Sequence, residues 1–233
     1  MDLYRLEWMK VRPSVYRVGA LGIFAGLLAM GITFLIIGKY EGGEEVLFCS
    51  WNGLISLIMA LTVACFGVFC SVISAKVIVE EYCGKKAVTL FTYPVSRRKI
   101  LKVKCRIILW FTVSSAFVSN ISVIGLMYIT ARIFGLMPEG GSWYLIVTVV
   151  GASFIAGILS FEIGMAAAVI GWKKRSIMAT VLSAVIIMCF VPNVIARFPD
   201  YIFATVLAAA VVFGLAAKAM YRILMDGIEN MEV

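Results

Sequence analysis

The 233-residue chain contains no histidine, and only 15% of its residues are charged. Without histidine, the usual zinc sites and histidine-based general-base chemistry have no ligand and no base. The six cysteines form no C-x-x-C pair, so a redox motif is not indicated. The chain also lacks a G-x-x-x-x-G-K-[ST] phosphate loop, so it is not expected to hydrolyse ATP in that manner by itself. We therefore predict no catalytic residue and no metal site.

Apolar residues are abundant, at 63% of the chain, and the mean hydropathy is +1.03. A soluble domain of this size does not need so much apolar surface, whereas a membrane protein does. Six apolar runs approach or exceed the roughly 20 residues that a spanning helix needs. They lack the alternation of barrel strands, so we predict an all-α integral membrane protein with one transmembrane domain over residues 1–233. The predicted spans are 18–37, 54–79, 107–131, 144–170, 176–194 and 201–220.

Lysine and arginine are distributed unevenly among the predicted loops. All but Lys39, Arg132 and Arg197 fall on one side of the membrane. The positive-inside rule then predicts a multi-pass membrane protein with both termini in the cytoplasm. This bias, together with anionic lipid headgroups, accounts for the net charge of +8, so no nucleic-acid partner is indicated. The first span is too long for the apolar region of a cleavable signal peptide.

The residues before the first span have an amphipathic pattern. In residues 2–12, apolar side chains can share one side of a helix while charged side chains face water, and Pro13 then ends it. This pattern predicts an interfacial helix along the inner leaflet, and the alternative is a frayed basic tail. The predicted outer loops are short, so we expect no extracellular domain.

The segment Glu80–Lys104, between the second and third spans, is the one long polar and strongly basic stretch. Gly84 and Pro94 interrupt it, and the residues between them, 85–93, are predicted to form a short helix. The three cations at 97–99 then occupy the first turn of the next helix, where positive charge is unfavourable. A counter-charge outside that helix is expected, from either lipid phosphate or an acidic partner surface.

This loop resembles that of the permease subunits of type-2 ABC transporters, and the six-span layout extends the resemblance to nearly the whole chain. The matching residues are Glu81, Gly84, Pro94, Val95, Ser96, Arg97, Ile100, Leu101 and Lys104. In that family two permeases form a dimer, and the amphipathic helix and the loop helix dock on the nucleotide-binding domains. The resemblance implies that 85–93 is a coupling helix. The residues it implies for coupling to the ATPase are Glu81, Gly84, Lys85, Leu90, Phe91, Pro94 and Arg97.

The resemblance also implies a place in the bacterial plasma membrane and the partners: a separate ABC ATPase that binds ATP and magnesium, a second permease chain in a homo- or heterodimer, and membrane lipids. Short permeases of this kind include exporters of amphipathic peptide toxins, such as the phenol-soluble modulin exporters. By resemblance we predict export of hydrophobic or amphipathic peptides. The alternatives are lantibiotic or bacteriocin self-immunity, export of lipids or drugs, and, from another class, an intramembrane enzyme or an ATP-independent channel.

A few polar residues inside the predicted spans are candidates for a translocation path. Glu162 is the one carboxylate within a span, and a charge near mid-bilayer costs on the order of several kcal/mol unless it meets water, a partner or a proton. The alternative for Glu162 is a packing residue, and for the hydroxyl groups it is contact between helices. The predicted path residues are Glu162, Asn120, Thr112, Ser115, Ser119 and Ser122.

Small residues also recur on one face of two spans. They are Ser153, Gly157, Ser160 and Gly164 on the fourth span, and Gly22 and Gly26 on the first. Small residues let transmembrane helices approach closely, so these faces predict helix packing.

Overall fold

The structure is a computed structural model that describes residues 8, 13–40, 50–83, 97–135 and 143–229. Within these ranges all regular secondary structure is helical. The helices are α1 (Pro13–Tyr40), α2 (Trp51–Ser74), α3 (Glu80–Cys83), α4 (Arg97–Phe134), α5 (Trp143–Lys173), α6 (Ile177–Met188), α7 (Val191–Arg197) and α8 (Ile202–Glu229). A π-helical turn, Ala75–Val79, joins α2 to α3, and a 3-10 turn, Pro199–Tyr201, precedes α8.

Six helical stretches in the described part of the chain are long and apolar enough to cross a membrane, which confirms the predicted all-α architecture. Each overlaps one of the predicted spans: 14–40, 51–82, 98–134, 146–173, 177–197 and 199–227. The fifth stretch is interrupted between α6 and α7, where Pro192 lies in the first turn of α7. Proline lacks a backbone N–H and is tolerated in a first turn but not in a helix interior, so the helix restarts there.

Both helical flanks of the basic loop are described, and the second has the cations at 97–99 in its first turn, as predicted. The second stretch stays helical to Cys83, and α4 already begins at Arg97, so both flanks of the segment Glu80–Lys104 are helical. The hydrogen bonds of a helix join backbone groups and do not depend on side-chain polarity. The helices therefore continue past the apolar runs into the polar flanks. The predicted coupling helix at 85–93 lies outside the described residues. So does the predicted interfacial helix at 2–12, apart from Trp8, which is helical.

Helix α5 is the centre of the bundle and packs against α2, α4, α6 and α8. Its glycines bring the helices into close contact. A Cβ at Gly157 would lie 3.2 Å from the Cα of Val113 in α4, and one at Gly164 would lie 2.7 Å from the Cβ of Cys70 in α2. The small-residue face of α5 is thus a packing face, as predicted. The Gly22 and Gly26 face of α1 differs, because added Cβ atoms there would meet nothing within 4 Å.

Candidate functional site

The two helices that flank the basic loop are joined by an ion pair at the base of the loop. Lys104 of α4 has a fully buried side chain, and its ammonium group donates a hydrogen bond to the Glu81 carboxylate of α3. The same ammonium donates to the backbone carbonyl of Val77 at 3.1 Å and lies 5.5 Å from the centre of the Tyr82 ring. A buried ammonium is stabilised only when it is paired and hydrogen-bonded, and Lys104 meets both requirements.

The π-helical turn supplies part of this environment. In it the backbone N–H of Glu80 bonds to the carbonyl of Ala75, five residues earlier, instead of four as in an α-helix. Such turns are rare and frequently occur at functional sites. Val77, whose carbonyl accepts the bond from Lys104, lies within this turn. The local widening of the helix and the buried ion pair therefore occur at the same place.

The surroundings of the ion pair are tightly packed. Leu101, one turn before Lys104, is fully buried in a core cluster that also contains Ile78 and Tyr82. A second link is exposed: the Arg98 guanidinium lies 3.4 Å from the Asp226 carboxylate of α8. Because both partners of that second pair are exposed, it contributes little to stability, whereas the buried pair fixes the relation of α3 to α4. We call the end of the bundle that carries these contacts the loop end.

The residues predicted to couple to the ATPase are only partly described. Glu81 belongs to the ion pair, and Arg97 is the first residue of α4. Gly84, Lys85, Leu90, Phe91 and Pro94 lie outside the described residues. Sequence reasoning included Lys104 in the family pattern but missed it as the partner of Glu81. A signal was present, since the pattern contains one acid before the loop and two bases, Arg97 and Lys104, after it.

Three of the four predicted hydroxyl residues of α4 line a groove between α1 and α4, which we call the serine groove. These residues are Ser115, Ser119 and Ser122. The α1 wall of the groove is formed by Ala20, Leu21 and Phe24, with Arg17 toward the loop end. The groove has a volume of about 500 Å³, within the roughly 300–1,000 Å³ that is usual for ligand pockets. The α4 wall combines these hydroxyl groups with Phe111 and Val118, so the groove is mostly apolar with a few hydroxyl groups on one side.

Asn120 and Thr112 lie elsewhere, in the packed interior of the bundle. The Asn120 amide donates to the Ser153 hydroxyl of α5 at 2.9 Å, and its oxygen lies 3.1 Å from the Thr62 hydroxyl of α2. Asn120 thereby joins three helices. Thr112 is fully buried beside Cys70 of α2. In this chain both residues contribute to contacts between helices, as polar residues in membrane bundles commonly do.

Glu162 lines a second groove, between α4, α5 and α8, which we call the Glu162 groove. Its volume is about 480 Å³. Glu162 is half-buried, and its Oε2 atom is buried without a hydrogen-bond partner among the described residues. The other oxygen lies against Gly214 of α8, where an added Cβ would be 2.7 Å away. The six predicted path residues are therefore divided among the serine groove, the Glu162 groove and the interior, and do not share one surface within a single chain.

The described residues contain no group of three or more cysteine, aspartate or glutamate side chains that could hold a metal ion. The chemistry that these residues offer is recognition: hydroxyl groups in one groove, a carboxyl and cations in the other, and a fixed loop base.

Comparison with known proteins identifies the family. Residues 3–193 match the family described as ABC-2 family transporter protein, which is most of the chain, so the chain belongs to that family. It is also similar to a protein of Bacillus subtilis (strain 168) named "Uncharacterized protein YcbO", with 26% identity over 193 residues, 83% of this chain and 84% of that protein. No solved structure matches the chain. Family membership and the six apolar helices make it a multi-pass permease component of an ABC transporter.

Proposed function

We propose that this chain is the membrane-spanning half of an ATP-driven exporter of hydrophobic or amphipathic peptides. ATP and magnesium are bound by a separate ABC ATPase chain, which docks on the loop between the second and third spans. A second permease chain completes the translocation path. Family membership and the absence of a phosphate-loop motif from this sequence support the assignment of ATP binding to a separate chain. The side that carries the basic loop is the cytoplasmic side in this proposal.

The observation that carries the proposal is the continuity of α4 from the loop base to the serine groove. Lys104 and Ser115 lie on one uninterrupted helix, eleven residues apart, which corresponds to about 16 Å. The ion pair ties the start of this helix to the end of the second span. A displacement of the loop by a closing ATPase is therefore transmitted along α4 to the groove wall.

The serine groove supports the choice of substrate class. The apolar face of an amphipathic peptide helix matches this mostly apolar groove, and the hydroxyl groups on α4 can accept hydrogen bonds from its polar edge. A second permease chain facing the same groove would enlarge it to the width of a peptide. Ser115 already donates to its own backbone, to the Phe111 carbonyl at 2.6 Å, and its oxygen remains able to accept from a substrate.

The partner assignment is tested by co-expression with an ABC ATPase encoded beside this chain. We expect a complex with two copies of each component, and no ATP hydrolysis by this chain purified alone. Phe91→Ala should weaken the complex or uncouple hydrolysis from transport, because an aromatic in a basic loop needs a partner surface to bury against. Phe198→Ala, an exposed aromatic next to α7, is the matched control. ATP hydrolysis by the isolated chain would refute the assignment.

The substrate class is tested separately by reconstituting the complex and measuring ATPase stimulation by amphipathic helical peptides. Ser119→Ala removes a groove hydroxyl with little change in volume and should reduce stimulation, whereas Thr130→Val, which removes a hydroxyl on the same helix but outside the groove, should not. Stimulation by drugs or lipids in the absence of any response to peptides would replace the peptide proposal with the lipid or drug alternative.

A further inference from the structure

The Glu162 groove has cations at one end and apolar walls along its length. Arg106 of α4 and Lys218 of α8 are both exposed and line the groove from two different helices. Tyr221 lies beside them, and Trp110, which is 62% exposed, lines the groove one turn deeper on α4. Lysine, arginine, tryptophan and tyrosine are the side chains that mark the level of lipid headgroups. Four of them meet at this groove.

The charges are ordered along the membrane normal. Glu162 lies ten residues before Trp172 on α5, which places it about 15 Å from the loop end of that helix. Gly214 contacts Glu162 from α8, and Lys218 follows one turn later, about 6 Å nearer the loop end. The carboxyl is therefore deep, and the cations are nearer the membrane surface, where long basic side chains extend toward headgroups.

The walls between these levels are apolar. Leu109 comes from α4, Ile158 and Phe161 from α5, and Ala217 from α8. The groove is open on its membrane side, since α4 and α8 leave large apolar side chains exposed there. An apolar channel that opens laterally and ends beneath two cations has the shape and charge of a bound lipid with an anionic headgroup.

We propose that this groove binds one anionic phospholipid of the leaflet at the loop end. Arg106 and Lys218 hold the phosphate, Tyr221 flanks the headgroup, and one acyl chain follows the apolar walls past Trp110. An anionic headgroup is preferred because the cations Arg106 and Lys218 line the groove from two different helices. The one carboxyl of the groove, Glu162, lies deeper and faces α8. The site is independent of the serine groove and of the transported substrate.

The test uses the full chain reconstituted in phosphatidylcholine bilayers that contain phosphatidylglycerol. Either lipid is supplied with brominated acyl chains, which quench nearby tryptophan fluorescence. The signal from Trp110 is obtained as the difference between the unmodified protein and Trp110→Phe. We expect phosphatidylglycerol to quench this signal at lower mole fraction than phosphatidylcholine, by about fivefold for each contributing cation.

The double variant Arg106→Gln, Lys218→Gln should lose this preference while retaining quenching by phosphatidylcholine. The matched control is Lys173→Gln, Lys174→Gln, which removes two exposed cations at the end of α5 that do not line the groove. Equal quenching by the two lipids in the unmodified protein would overturn the proposal. So would an unchanged preference in the groove variant, or the same loss of preference in the control, since general surface charge would then explain the binding.

Discussion

Lys104 and Glu162 are both charged residues within long apolar helices, and their surroundings differ. Lys104 has no exposed side-chain surface, yet its ammonium has a carboxylate, a backbone carbonyl and an aromatic ring around it. Glu162 is less buried, and one of its oxygens has no hydrogen-bond partner among the described residues. A paired buried charge is part of the architecture, because removing its partner is costly. A buried carboxyl oxygen without a partner lowers the stability of the fold, and no contact among the described residues offsets that loss.

The two places also differ in rigidity. Around Lys104, Leu101, Tyr82 and every residue of the π-helical turn except Lys76 are fully buried or nearly so. The Glu162 groove opens to the membrane, and the carboxyl end of the Glu162 side chain, which lies against Gly214, is free to rotate. Tight, satisfied regions keep one geometry, whereas open regions adapt to a ligand. The loop base is thus suited to transmitting movement, and the groove to holding a molecule.

The largest effect is expected from breaking the ion pair. Lys104→Met leaves the Glu81 carboxylate without its lysine and should lower the free energy of unfolding by about 3–5 kcal/mol. Adding Glu81→Gln to this variant should recover part of the loss, because the second charge is then also removed. Reversible unfolding in mixed micelles, followed by fluorescence, measures both variants.

Lys102→Met is the control for that experiment, because Lys102 is exposed and lies two residues away on the same helix. It should leave unfolding unchanged. A double variant as unstable as Lys104→Met alone would show that the lost hydrogen bond to the Val77 carbonyl, and not the unpaired Glu81 charge, accounts for the loss.

An intermediate effect is expected from two glycines on facing helices. Gly157→Ala places a methyl group against the Val113 backbone, which cannot move aside, and should cost about 1–3 kcal/mol. Gly214→Ala meets only the end of the Glu162 side chain, which can rotate away, and should cost clearly less. Both variants gain the same helix propensity. The difference between their free energies of unfolding therefore measures the cost of the contact that each new methyl group makes. Equal losses would mean that the Glu162 carboxyl is fixed in place.

The smallest effect is expected from Glu162→Gln. Glutamine keeps the size and removes only the titratable proton, so stability should stay within about 0.5 kcal/mol of the unmodified protein. Glu162→Leu should raise stability, because it removes a buried oxygen without a partner. Transport by the glutamine variant is compared at mildly acidic and mildly alkaline pH. Reduced transport with unchanged yield would place the acidity of Glu162 on the translocation path, as the sequence analysis predicted.

Several features could be predicted from the sequence because they depend on local composition. The number and approximate limits of the spans follow from the length of the apolar runs. The packing role of Gly157 and Gly164 follows from the spacing of small residues on α5. Pro192 shows why the limits are only approximate, since a single proline divides the fifth stretch into α6 and α7.

The arrangement of the polar residues could not be predicted in the same way. In a membrane helix, apolar residues face both lipid and protein, so hydrophobicity does not distinguish the outer face of α4 from its inner face. The predicted path residues on α4 are therefore divided, with Ser122 in the serine groove and Asn120 in the interior. Their separation depends on the rotation of α4 about its own axis, which only the packing against α1, α2 and α5 fixes.

By itself, the sequence determined that the chain is a six-span helical membrane protein with a basic loop and a lone carboxylate at depth, since chain length, apolar runs and charge depend on consecutive residues. Only the tertiary structure decided which residues meet. The partner of Glu81 is Lys104, on the far side of the loop, and the neighbour of Glu162 is Gly214, on the last helix. Contacts between residues distant in sequence are set by how whole helices pack, and that packing is determined by the side chains of all of them together.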